Sequence, residues 1–80
     1  MAQYQGHKNW NHWNVSLWIM NEYQVYKWAA YLVTRYNRDV AARKLLAYCK
    51  AYWREFHGCT PDDAPLTFSS VRAALTNWGK

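Results

Sequence analysis

Histidine and cysteine side chains are the groups in this chain that could support acid–base catalysis, nucleophilic attack or metal binding. The sequence contains His7, His12 and His57, together with Cys49 and Cys59. His57 and Cys59 are separated by a single glycine, but a closed zinc site needs four ligands and no second pair follows. A cysteine nucleophile also needs oxyanion donors and a pocket, for which the sequence offers no motif. We therefore predict no catalytic residue, no metal site and no cofactor.

Basic residues are concentrated in the middle of the chain. Seven lysines and arginines against one acid give residues 27–54 a net charge of +6, whereas the three basic and four acidic residues elsewhere sum to −1. A basic surface beside aromatic rings can hold a nucleic-acid backbone and stack bases. A solvated helix face and a surface for an acidic protein are the alternatives. The candidate binding residues are Lys27, Arg35, Arg38, Arg43, Lys44, Tyr48, Lys50 and Arg54.

Three of these residues, Arg43, Lys50 and Arg54, are spaced to form one stripe along a helix. The stripe would span roughly 16 Å, because an α-helix rises by about 1.5 Å per residue. The chain as a whole has a net charge of +5. This charge excludes action as an acidic mimic of DNA.

Apolar spacing predicts an all-α fold, a small compact bundle of about four helices. The expected helices cover residues 11–20, 22–36, 39–57 and 68–78, and the sequence has no alternation typical of strands. Small polar residues in front of these segments are the expected N-caps. They are Asn11, Asn21, either Asn37 or Asp39, and Thr67.

The apolar faces of these helices predict the core. The expected core residues are Trp13, Leu17, Trp18, Leu32, Leu45, Leu46, Cys49, Trp53, Phe56, Phe68, Val71 and Leu75. The first helix is apolar nearly all round, so it is enclosed either by the fold or by an interface with a partner or a second copy. The sequence therefore leaves open a homo-oligomer that forms through this aromatic helix.

The length of 80 residues suits a single helical domain. The polar residues 1–9 are expected to form a flexible N-terminus, and they do not resemble a signal peptide. No apolar run approaches the roughly 20 residues that would span a bilayer. We therefore expect a cytoplasmic protein without membrane contact, whose two cysteines are free thiols.

The first predicted helix also carries a resemblance to a known group of proteins. Residues 9–21 resemble the signature N-x-x-x-W-N-V-x-L-W-[IL]-x-N of a small family of uncharacterised phage and plasmid proteins. The later runs NRDVAARKLL, Thr-Pro-Asp and SVRAAL are similar to the same group. Where such relatives read Asn-Asp-Glu-Gly-x-Tyr, this chain reads NEYQVY over residues 21–26. The resemblance implies a mobile-element origin, but no activity and no catalytic residues.

Two classes of function follow from these observations. In the first, which the resemblance favours, a small non-enzymatic protein binds a host protein or protein complex and inhibits it. A component of a defence system of the CRISPR type is one such target. In the second, the basic surface of residues 27–54 binds nucleic acid, and the protein serves as an accessory or regulatory factor.

Overall fold

The computed structural model describes residues 9–76 and residue 78. These residues form four α-helices, and a short 3₁₀ turn over Arg54–Phe56 follows the third. The helices are α1 (Trp10–Asn21), α2 (Tyr23–Arg35), α3 (Arg38–Tyr52) and α4 (Phe68–Leu75). The described part of the chain contains no strand, only an isolated bridge between Cys59 and Pro65. The expected small all-α bundle is therefore confirmed.

The four helices pack in a closed order around one core. α1 contacts α2 and α4, and α3 contacts the same two helices. No helix in the described residues is long and apolar enough to cross a bilayer. The expectation of a flexible segment over residues 1–9 falls mainly on residues 1–8, which lie outside the described residues; Asn9 is described and belongs to the start of α1.

The N-caps of the first two helices differ from those expected. Asn9 caps α1, because its Oδ1 accepts a hydrogen bond from the backbone N–H of His12 at 3.0 Å. Asn11 lies inside α1 and donates instead to the carbonyl of Pro65. Asn21 is also helical and donates back to the carbonyl of Leu17, so it cannot cap α2. α2 begins after Glu22 without a side-chain cap.

The N-caps of the last two helices agree with the sequence. Asn37, one of the two residues considered, caps α3 through the backbone N–H of Val40. Thr67 caps α4 and forms a capping box with Ser70. Both caps precede a regular apolar pattern, and the side chain of each satisfies a backbone N–H that has no partner within the helix.

The third and fourth helices end earlier than predicted. α3 ends at Tyr52 rather than at residue 57, because the backbone turns at Trp53 and continues as the 3₁₀ turn. His57 then adopts a left-handed conformation, and Gly58 follows with φ of 84°. This change of direction buries the ring of Trp53 and returns the chain towards α4. α4 ends at Leu75 rather than at residue 78.

Six of the twelve expected core residues are buried, and four more are partly buried. Leu32, Leu45, Cys49, Trp53, Val71 and Leu75 are buried, whereas Trp18, Leu46 and Phe56 are partly buried against that core. Trp13 is half-buried. Leu17 and Phe68 were expected in the core, but each is 37% exposed.

The side of α1 that faces the core explains the error at Leu17. The fully buried residues of α1 include Val15 and Ile19, together with the polar Asn14. Leu17 lies two positions after Val15 and therefore projects about 200° away from it around the helix. Because α1 is apolar nearly all round and a polar side chain occupies part of its buried side, the apolar pattern did not distinguish the buried side from the exposed one.

Candidate functional site

Aromatic and basic side chains form one exposed surface on the outer side of α2 and α3. Four of them follow one another along α2 at intervals of four residues, a spacing that places side chains on one side of a helix. We call this set the aromatic–basic surface. Its residues are Tyr23, Lys27, Trp28, Tyr31, Arg35, Lys44 and Tyr48.

The rings of this surface form a continuous row that crosses from α2 to α3. The rings of Trp28 and Tyr31 are stacked, with centroids 5.2 Å apart and planes 17° apart. The Trp28 ring also lies 5.8 Å from that of Tyr48 on α3. The Tyr48 ring in turn stacks on Tyr52 at 5.9 Å, and the Tyr52 hydroxyl donates to Glu22 Oε2 at 2.7 Å. That hydrogen bond raises the pKa of Tyr52.

Three cations of the surface lie over aromatic rings. Lys27 Nζ is 5.3 Å from the centroid of the Tyr23 ring, and Arg35 Cζ is 5.6 Å from that of Tyr31. Lys44 Nζ lies 4.8 Å from the ring of Tyr36. Cation–π contacts at exposed sites are weak, about 0.5–1 kcal/mol, and they do not neutralise the charge.

These cations have no acidic partner within the part of the chain that is described. The ion pair found there joins Arg72 Nε on α4 to Asp39 Oδ1 in the first turn of α3, at 2.5 Å. The positive charges of Lys27, Arg35 and Lys44 are therefore available to an external anion.

A shallow depression of about 370 Å³ lies in the middle of the surface and is open to solvent. Its walls are formed by Gln24, Lys27, Trp28, Tyr31 and Tyr48. It thus combines three aromatic rings with one cation and one carboxamide. Sites for small ligands have a similar composition, mostly apolar with a few polar groups that fix orientation.

A second group of polar residues joins α1 to the loop before α4. Asn14 Nδ2 and Trp18 Nε1 both donate to Asp62 Oδ2, at 2.9 and 3.0 Å. The Thr60 hydroxyl donates to Asn14 Oδ1 at 2.7 Å, and both residues are fully buried. The two hydrogen bonds to its carboxylate lower the pKa of Asp62. Asn14 and Trp18 are one helical turn apart on α1, so this side of α1 holds the loop in place.

Comparison of the sequence with models of known protein families gives a match to an uncharacterised family. Residues 1–66 match the model of a family of unknown function, DUF7249. The chain belongs to this family. Neither a curated protein nor a solved structure matches the sequence. The matched region of this DUF7249 chain includes α1, α2 and α3, and therefore the whole aromatic–basic surface.

The candidate binding residues predicted from the sequence of the DUF7249 chain do not form one surface. Lys27, Arg35, Lys44 and Tyr48 belong to the aromatic–basic surface. Arg38 is instead structural: its Nε donates to the carbonyl of Leu75 at 2.7 Å, and its Nη2 donates to that of Trp78. Arg38 therefore holds the C-terminal end of α4 and is only half-exposed.

The predicted stripe of three basic residues on the third helix is also wrong. Arg43 lies over the ring of Phe68, on the side of α3 that faces α4. Lys50 is exposed in the last turn of α3. Arg54 follows Trp53, where the α-helix has already ended. The helical period that linked these residues in the sequence is therefore interrupted before Arg54.

Three residues of the surface were missed by the sequence prediction, namely Tyr23, Trp28 and Tyr31. A signal for two of them was present, because Tyr23 and Tyr31 each lie four residues from a basic residue of α2. Rings and cations at that spacing meet on one side of a helix. Proximity of Trp28 to Tyr48 depends on how α2 packs against α3, and no local pattern indicates it.

Four of the five histidine and cysteine side chains belong to the described part of the chain. Among the described residues, no cluster of three or more His, Cys, Asp or Glu side chains could hold a metal ion. His12 Nε2 lies 3.1 Å from Ser69 Oγ and connects α1 to α4. Burial raises the pKa of the Cys49 thiol to about 12, and Cys59 is half-buried in the loop. His7 lies outside the described residues.

Proposed function

We propose that this protein is a small non-enzymatic accessory protein that binds single-stranded nucleic acid on the aromatic–basic surface. The observation that carries the proposal is the row of rings from Trp28 and Tyr31 to Tyr48, flanked by cations without an acidic partner among the described residues. A single strand presents unpaired bases to rings and phosphates to cations. Bases in a duplex are stacked on one another, so these rings favour a single strand.

The binding experiment uses fluorescence anisotropy of a labelled single-stranded 15-nucleotide DNA at several salt concentrations. Binding through Lys27, Arg35 and Lys44 neutralises about three phosphates. The logarithm of the association constant should then fall with the logarithm of the salt concentration with a slope of about −2, or about −0.7 for each phosphate contact. A duplex of the same length should bind more weakly.

Two pairs of variants distinguish binding at the aromatic–basic surface from non-specific attraction to the positive charge of the protein. Lys44→Ala should reduce the magnitude of the salt slope by about 0.7, whereas Lys50→Ala, a change at an exposed lysine of the same helix, should not. Trp28→Ala should weaken binding by about 1–3 kcal/mol. Trp10→Ala is its matched control, because Trp10 is 40% exposed and Trp28 is 38% exposed, but only Trp28 belongs to the surface. Equal effects within either pair would refute the proposal.

Binding to a host protein is the second candidate function, and a different observation favours it. Trp10, Leu17 and Met20 are exposed along α1, a helix without any charged residue. Tryptophan and methionine are enriched in protein interfaces, and charged residues are depleted from their centres. Together with the resemblance to phage and plasmid proteins, this supports a mobile-element protein that acts in the host cytoplasm and inhibits a host protein, such as a CRISPR-type defence component.

A pull-down from bacterial lysate tests this second function, with nuclease treatment to remove bridging nucleic acid. A specific host protein should be captured by the wild type and lost with Leu17→Glu, while Lys44→Ala should retain it. Size-exclusion chromatography of both variants shows whether the same helix joins two copies of the chain. Capture that depends on Lys44 and not on Leu17 would contradict an interface on α1.

A further inference from the structure

We infer that the depression between α2 and α3 is a subsite for one adenine base of the bound strand. The inference rests on the proposed binding of single-stranded nucleic acid and adds a base preference to it. Five residues line the depression and supply the three kinds of group that a nucleotide needs, namely flat rings, a cation and a hydrogen-bonding amide.

The rings provide a stacking site with walls on two helices. Trp28 and Tyr31 are nearly parallel on α2, and the Tyr48 ring on α3 is tilted by 37° relative to that of Trp28. The volume of about 370 Å³ lies in the lower part of the range of about 300–1,000 Å³ found for small-molecule sites. Because a purine has two fused rings, it covers more of such an aromatic surface than a pyrimidine does.

Gln24 and Lys27 supply the polar contacts. Gln24 lies one helical turn before Trp28, and its carboxamide makes no hydrogen bond within the described part of the chain. A carboxamide offers one acceptor and one donor group side by side. Adenine presents the complementary N6 donor and N7 acceptor, whereas guanine presents two acceptors on the same edge. Lys27 lines the same depression and is placed to contact the adjoining phosphate.

The test uses three 12-nucleotide strands at one salt concentration. One contains only thymine, and the other two have a single central adenine or cytosine in the same thymine sequence. With the wild type, the adenine strand should bind roughly tenfold more tightly than the all-thymine strand, as expected for one good bidentate contact to a base. The cytosine strand should bind at most slightly better than the all-thymine strand.

Gln24→Leu identifies the source of the preference. The variant retains a side chain of similar size, so the all-thymine strand should bind as it does to the wild type, while the advantage of adenine should fall to the smaller part that purine stacking alone provides. Equal binding of the three strands to the wild type, a preference for cytosine, or an adenine preference that is as large with Gln24→Leu as with the wild type would overturn the adenine subsite and leave the proposed function intact. Failure of all three strands to bind would overturn both.

Discussion

Replacement of Asn14 by alanine should destabilise the protein more than replacement of any exposed asparagine. Asn14 is 1% exposed, and its two polar atoms bind two different residues of the loop before α4. Its Oδ1 accepts the hydroxyl proton of Thr60, which is itself 0% exposed. Thr60 Oγ1 also accepts the backbone N–H of Ala64 at 3.1 Å. Without Asn14, the buried hydroxyl proton has no acceptor.

The size of the effect follows from this unpaired group. Leaving a buried polar group without its partner costs about 1–3 kcal/mol, and the missing side chain also leaves a small cavity. We expect a total loss of about 2–3 kcal/mol for Asn14→Ala. A chain of this length has a free energy of unfolding of about 4–12 kcal/mol, so the variant loses a large part of its stability. The melting temperature should fall by about 10–20 °C.

Urea unfolding followed by tryptophan fluorescence measures this loss. Asn21→Ala is the matched control, because Asn21 also lies in α1 but is exposed, and its side chain donates to the carbonyl of Leu17 in its own helix rather than to the loop before α4. A double-mutant cycle with Thr60→Val should give a coupling energy of about 1 kcal/mol, since each single change removes one partner of the same hydrogen bond. This role of Asn14 is refuted if Asn14→Ala costs no more than Asn21→Ala, or if the effects of Asn14→Ala and Thr60→Val on the free energy of unfolding simply add.

Three further predictions concern other parts of the fold. A thiol reagent should label native Cys59 and leave Cys49 unmodified, because Cys49 is buried and its pKa is raised to about 12; equal labelling rates would contradict the position of Cys49 in the core. The pKa of Asp62 is lowered in the folded state, so its contribution to stability is present above the unfolded pKa and is lost as the pH falls through the folded one. Below about pH 4, acid should therefore destabilise the wild type more steeply than Asp62→Asn, and parallel pH profiles in urea titrations would refute this role. Arg38→Ala should lower the free energy of unfolding by about 1–3 kcal/mol, because the end of α4 loses charged hydrogen-bond donors; in thermal melts, an equal loss for Arg43→Ala would contradict this.

Local features of the sequence were sufficient to predict the four helices and part of the core. Asn37 and Thr67 cap the helices that follow them, and a cap needs only a polar side chain within three residues of the backbone N–H that it satisfies. The buried stripe that includes Leu45 and Cys49 follows the helical period within α3. These predictions succeeded because every contact they require is made within one helix or between its buried face and a generic apolar neighbour.

Long-range packing decided the rest of the structure and the candidate site. Asn14 and Thr60 are 46 residues apart, and their hydrogen bond is buried on the core side of α1. Likewise, Trp28 and Tyr48 meet only because α2 and α3 pack side by side. Helical periodicity assigns a residue to a face but does not specify which helix that face meets. The sequence by itself therefore determined the helices and their charges, whereas the tertiary structure decided which rings and cations share a surface.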